Sequence, residues 1–186
     1  MTSVCPRPLR RLAPIVLTFC GGLASAGLAG CSDSRAADAV TDSAVQAQVE
    51  RLRQAAAPFF SFDVAQAAGW NVALSECVEV PELGGMGIHY GNPTQLDNDG
   101  RLTLLRPEVL LYVPDADGSM ALVAVEYIIG EDDWPYAEPP EFLGQALHFN
   151  EQQRIWALHV WIGRANPAGL FADFNPDVSC ENAADR

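Results

Sequence analysis

Val45, Val49, Leu52 and Ala56 recur at steps of 4, 3 and 4 residues, which is one face of a 3.6-residue period and predicts a helix. Thr41 or Asp42 can cap its start, and Pro58 stops it. Ser61 is placed to cap a second, shorter helix over Phe62–Ala68, which Gly69 ends. Beyond Trp70 the texture changes to β-branched and aromatic runs punctuated by Gly, Pro, Asn and Asp, the pattern of strands and turns. The clearest pair is Val109–Val113 with Ala121–Ile129, joined across Pro114 to Ser119. A second is Leu143–Phe149 with Ile155–Ile162, turning through Asn150 to Gln153. Asn71–Val80 and Met86–Tyr90 offer further strands, and the acidic, proline-rich stretch from Gly130 to Glu141 is expected to be a surface loop. Helices first and antiparallel strands afterwards predict an α+β domain. Its N-terminal helices should pack on an antiparallel sheet of about five or six strands, with closure into a barrel as an alternative.

The first thirty residues do not belong to that pattern. Arg7, Arg10 and Arg11 precede an apolar stretch from Leu12 to Phe19 and a run of small residues, which together have the form of a targeting leader. It ends in Leu28-Ala29-Gly30-Cys31, which matches the lipobox of bacterial lipoproteins. That resemblance implies lipidation of Cys31, palmitate included, and cleavage before it. Ser32, rather than Asp, after the Cys implies the outer membrane, facing the periplasm. A transmembrane reading is weaker, because Leu12 to Ala29 contains Pro14 and several Gly and falls short of the ~20 apolar residues a span prefers. The expected organisation is therefore a leader over residues 1–30, a flexible tether over 31–43, and one globular domain over 44–186.

Charge narrows the partners. The 186 residues carry 24 acids against 11 bases, for a net charge of −13, and every base is Arg. Binding to nucleic acid needs clustered positive charge, so no nucleic-acid partner is expected; the membrane enters only through the lipid anchor. Of five Cys, Cys5 and Cys20 leave with the leader and Cys31 takes the lipid. Cys77 and Cys180 remain, an even count for an oxidising compartment, and predict a disulfide; two buried free thiols are the alternative.

Motifs for nucleophilic hydrolysis, phosphate binding, helical zinc sites and dithiol redox chemistry are all missing from the sequence. What chemistry there is lies in the strands. His89, His148 and His159 are the three His, and Glu126 interrupts the apolar run from Leu122 to Ile129. Strand alternation puts Glu126 on one face with Leu122, Ala124 and Ile128, where an unpaired carboxylate is costly. Three imidazoles and a carboxylate suit Zn, Fe, Mn or Ni, as in cupin-like barrels. The hairpins argue against all four meeting. A turn near Glu151–Gln153 sets His148 opposite Trp156, about 10 Å from His159. The first hairpin sets Glu126 opposite Pro107, near Arg106, so a structural Glu126–Arg106 ion pair competes with the metal reading. Asp97 to Gly100 and Asp115 to Gly118 have the look of calcium-loop fragments but lack the full ligand pattern, and are read as turns. Asn92-Pro93, Asn166-Pro167 and Asn175-Pro176 are read as turn starts.

Five segments then occur in order: Gly85 to Tyr90, Pro107 to Tyr112, Val123 to Tyr127, Leu158 to Ile162 and Asn166 to Asp173. Together they resemble a family of uncharacterised bacterial secreted or lipoprotein domains, over about Val64 to Cys180. The resemblance implies the same two Cys, Cys77 and Cys180. It also implies a His before the Asn-Pro pair, where this chain has Ala165. No activity comes with it. The combined expectation is an envelope-anchored domain that binds a small ligand or partner around His89, Tyr90, Glu126, His159 and Trp161. A metal-dependent, cupin-like enzyme using His89, Glu126, His148 and His159, and a purely structural envelope protein, are the alternatives.

Overall fold

The computed structural model describes residues 32–183, with side chains from residue 42 onward. Residues 1–31, on which the expected leader and lipidation of Cys31 fall, lie outside the described residues. The first helix, α1, runs over Ser32–Ala56. It begins some ten residues before the predicted start, so the segment read as a tether is helical from Ser32 on. The sequence there lacks the helix breakers Pro and Gly, and Arg35, Ala36, Ala37 and Ala39 favour helix, although most of its other residues are weak helix formers. No helix among the described residues is long and apolar enough to cross a membrane.

The expected face of α1 is the buried one: Val49, Leu52 and Ala56 are each no more than 3 % exposed, with Val45 packed beside them. A 3₁₀ turn over Ala57–Phe60 contains Pro58, and α2 follows over Phe62–Ala67. Gly69, at φ +110°, ends this helical region.

The strands are β1 Val72–Ala73, β2 Val78–Val80, β3 Gly84–Gly91, β4 Val109–Pro114, β5 Met120–Gly130, β6 Glu141–Phe142, β7 Gln145–Ala146, β8 His148–Asn150 and β9 Ile155–Val160. A one-turn helix, α3, covers Pro93–Leu96, and the side chain of Asn92 caps it by accepting from the Thr94 N–H. Seven strands form one antiparallel sheet in the order β1-β3-β4-β5-β9-β8, with β2 also pairing β3; β6 and β7 form a separate ribbon. The sheet has free edges and is not a barrel, so the architecture is α+β with an open sheet and the cupin-like closure does not occur. Part of the predicted strand Leu143–Phe149 is given to β7, which pairs with β6 rather than with β9.

Alternation divides the sheet. Leu110, Tyr112, Leu122, Val125, Tyr127 and Val160 face α1, α2 and the 3₁₀ turn and form a dry core. The Tyr112 hydroxyl donates to the Phe59 carbonyl (2.6 Å) and the Trp70 indole to the Pro107 carbonyl (3.1 Å), so buried polar atoms on this face have partners. The opposite face carries Val109, Leu111, Ala124, Ile128 and Trp161. It is covered in part by the C-terminal segment, which bridges Gly85 to Asn175 and buries Val178. Gly84 permits this approach, because its φ is +91° and a Cβ there would lie 2.1 Å from the Asn175 carbonyl oxygen. The Cys77–Cys180 disulfide is present, with Cα atoms 5.8 Å apart, and ties the same segment to the β1–β2 connection.

One irregularity moves the site residues. Leu111 pairs with Ala124 and Tyr112 with Leu122, leaving Val123 as an extra residue in β5. Its carbonyl accepts from the Gly163 and Arg164 N–H groups. Leu122 therefore belongs to the helix-covered face, whereas Ala124, Glu126 and Ile128 keep to the other. The turn and this bulge together set Glu126 opposite Val109 rather than Pro107. The expected Glu126–Arg106 ion pair is replaced by contacts to two His.

Candidate metal and ligand cleft

Three strands supply the centre of the site. Glu126 on β5 stands directly opposite His159 on β9, and His89 comes from β3 across the intervening β4. Glu126 Oε2 is 3.8 Å from His89 Nε2, and Oε1 is 3.5 Å from His159 Nε2. The three side chains are 12 %, 6 % and 4 % exposed for His89, Glu126 and His159. One donor atom from each lies within 4.8 Å of the others, so this buried group could hold a metal ion.

Outer contacts orient both imidazoles the same way. His89 Nδ1 is 3.0 Å from the Ser75 hydroxyl, which also accepts from the His89 backbone N–H. His159 Nδ1 is 3.5 Å from Asp173 Oδ1. Each ring therefore presents Nε2 to the shared carboxylate and Nδ1 to a second polar group, the arrangement that fixes the tautomer of metal-binding His. His159 is the informative member. It is fully enclosed, yet neither of its ring nitrogens has a hydrogen-bond partner of acceptable geometry. Each nitrogen instead has a carboxylate oxygen at 3.5 Å without forming a hydrogen bond, and a cation among these donors would give Nε2 a ligand bond.

Electrostatics separate the two rings. Burial pulls the His89 pKa below its ordinary value, and His159 adds to that, against the opposing pull of Glu126. Burial acts on His159 too, but the Glu126 and Asp173 carboxylates outweigh it and its pKa is raised. Asp173 is held below the usual carboxylate range, first by the His159 imidazole and also by His148.

The group lies in a cleft of about 630 Å³. Leu74, Val78, Met86, Ile128, Ala157 and Phe174 supply apolar wall, and the turn between β8 and β9 forms part of the lining. His148 lines the cleft too but is exposed; its Nδ1 is 3.0 Å from Asp173 Oδ2, and it is outside the metal-competent group. The register pairs His148 with Ala157 rather than Trp156, two residues from His159 instead of the expected three, and the two His meet opposite oxygens of Asp173.

Two expected site residues belong elsewhere. Tyr90 follows His89 in β3 and so points to the other face, where its ring packs edge-on against Phe62 and Tyr112. Trp161 shares the cleft-side face but is 2 % exposed and lies among Val109, Leu111 and Val178. Its indole donates to the Ala172 carbonyl at 2.6 Å and anchors the C-terminal segment. Ser75 and Asp173 were not among the residues singled out for chemistry. Ser75 falls within Asn71–Val80, expected as strand, but lies in the irregular connection between β1 and β2, where alternation gives no facing. Asp173 is in the irregular C-terminal segment and closes the Asn166 to Asp173 stretch that carries the family resemblance. Comparison with protein-family models, with curated proteins and with solved structures gives no match for the chain.

Proposed function

We propose that this protein is a lipid-anchored component of the bacterial cell envelope, belonging with the secreted and lipoprotein domains it resembles. Its cleft binds one divalent transition metal (Zn, Fe, Mn or Ni) through His89, Glu126 and His159, together with a small ligand. The observation that carries the metal reading is the meeting of three buried donors from three strands around a His159 whose nitrogens have no hydrogen-bond partner. Ligands about 2.1 Å from one tetrahedral ion are about 3.4 Å apart, so donors that lie within 4.8 Å of one another close by up to about 1.4 Å on binding. Two His and one carboxylate leave coordination positions open, and an ion held in this way acts as a Lewis acid toward a bound oxygen donor. Within the chain, Glu126 supplies the neutralising charge, while Ser75 and Asp173 hold the two imidazoles in orientation.

The envelope reading is supported by the Arg-rich leader ending at Cys31 and by a disulfide of the kind an oxidising compartment maintains. Elemental analysis and calorimetric titration of the purified mature protein test the metal. Uptake of one equivalent of ion, lost in Glu126→Gln, is the expected result; a folded protein that takes up none of the four metals contradicts it. For the anchor, Cys31→Ala should abolish palmitate labelling and membrane partition, and unchanged partition would refute it.

A further inference from the structure

The walls of the cleft restrict what can sit beside the metal. One wall is apolar, built from Leu74, Val78, Met86, Ile128, Ala157 and Phe174, while the turn side chains from Asn150 to Gln153 form a polar part of the lining. No Arg is among the described residues that line it, and the chain contains no Lys. The only cationic contribution within reach is therefore the His side chains and the ion itself. A divalent ion held by two neutral imidazoles and Glu126 leaves one positive charge, and the Asp173 carboxylate has its own partner in His148, outside the metal group, at 3.0 Å. One negative charge on a ligand is thus balanced. A second, placed along the apolar wall, would be buried without a partner.

The mouth points the same way. Leu74 and Phe149 are 43 % and 37 % exposed, large apolar side chains left in water at the rim of the same cleft. The volume of about 630 Å³ lies within the range of small-molecule sites.

We infer that the cleft takes a small monoanionic amphiphile, with one oxygen-donor head on the metal and an uncharged hydrocarbon body along the Met86–Ile128–Phe174 wall. The inference rests on the metal reading above, and goes beyond it in naming the class of ligand.

The experiment is calorimetric titration of the zinc-loaded protein with butanoate, hexanoate, octanoate and the eight-carbon dicarboxylate suberate. Each buried methylene should tighten binding by about fourfold, so octanoate should bind on the order of a hundredfold more tightly than butanoate. Suberate, equal in length but charged at both ends, should bind more than tenfold more weakly than octanoate. Met86→Gln should weaken octanoate while zinc affinity stays unchanged. If zinc itself fails to bind, the metal reading and this inference fall together. If zinc binds but affinity is independent of chain length, or suberate matches octanoate, the ligand class alone is overturned.

Discussion

Alternate residues of the same strands build two unlike surfaces. On β4 and β5, Leu110, Tyr112, Val125 and Tyr127 turn toward the helices, and the Tyr112 and Tyr127 hydroxyls donate to backbone carbonyls there. Their neighbours Val109, Leu111, Ala124 and Glu126 turn the other way, toward a face that the C-terminal segment and Leu96 of α3 cover in part and that keeps a cleft. The helix-covered face is closed by apolar contact. The cleft face is closed by a covalent clamp, a few backbone bridges and a group of titratable side chains that do not fully satisfy one another. A sheet can thus carry its stability on one face and a binding site on the other, at a spacing of one residue.

The largest expected effect comes from removing the clamp. The disulfide closes a loop of 103 residues, and replacing Cys77 and Cys180 together with Ser should cost about 4 kcal/mol in the chain-entropy account. Urea denaturation would measure the loss. Because the clamp holds the segment that carries Asp173, metal affinity should fall as well. Leu110→Ala, on the helix-covered face, should cost about 3 kcal/mol and leave the metal affinity of the folded protein unchanged. Equal effects of the two changes on metal binding would erase the distinction between the faces.

A smaller effect should appear in the pH dependence of the metal-free protein. Glu108 precedes β4, is 2 % exposed, and accepts from the Asn98 side-chain amide and the Ile128 N–H, each at 3.2 Å. Burial, with a minor contribution from Glu126, raises its pKa from the ordinary 4.5 to about 7. A carboxyl whose folded pKa is raised stabilises the fold fully only below its unfolded pKa, and that contribution is lost as pH rises through the folded value. Between pH 5 and 7.5 the loss attributable to Glu108 should be on the order of 2 kcal/mol. Subtracting the Glu108→Gln stability curve from that of the wild type isolates it from the His residues. A difference that does not fall with rising pH would show that Glu108 ionises normally.

How far these features could be read from the residues depended on whether they are local. The face of α1 followed from the spacing of Val49, Leu52 and Ala56, because a helix repeats within its own chain. The Asp and Asn turns were equally readable: Asp117 accepts from the Ser119 N–H, while Asn166 and Asn175 accept from the N–H two residues on. The hairpin of β4 and β5 was found, but not the extra residue Val123, whose bulge is stabilised by Gly163 and Arg164 some forty residues later. That shift removes Arg106 from Glu126 and brings His89 and His159 to it. Tyr90 shows the converse, since alternation alone suffices to place it on the opposite face from His89. Asp173 depends on where the C-terminal segment crosses the sheet, and Ser75 on the irregular connection between β1 and β2, neither of which strand and helix periods encode.

The most direct test of a metal site on the cleft face is thermal melting of the wild type and His159→Leu, each with and without Zn²⁺, Ni²⁺, Mn²⁺ or Fe²⁺. An ion that binds only the native state raises the melting temperature, by about 2.7 kcal/mol of stability at a hundredfold excess over its dissociation constant. The account predicts that the wild type is stabilised by at least one of these ions. His159→Leu, which removes two buried nitrogens that make no hydrogen bond, should melt near the metal-free wild type and respond to none. A wild type indifferent to every ion, or a variant stabilised to the same extent, would contradict it.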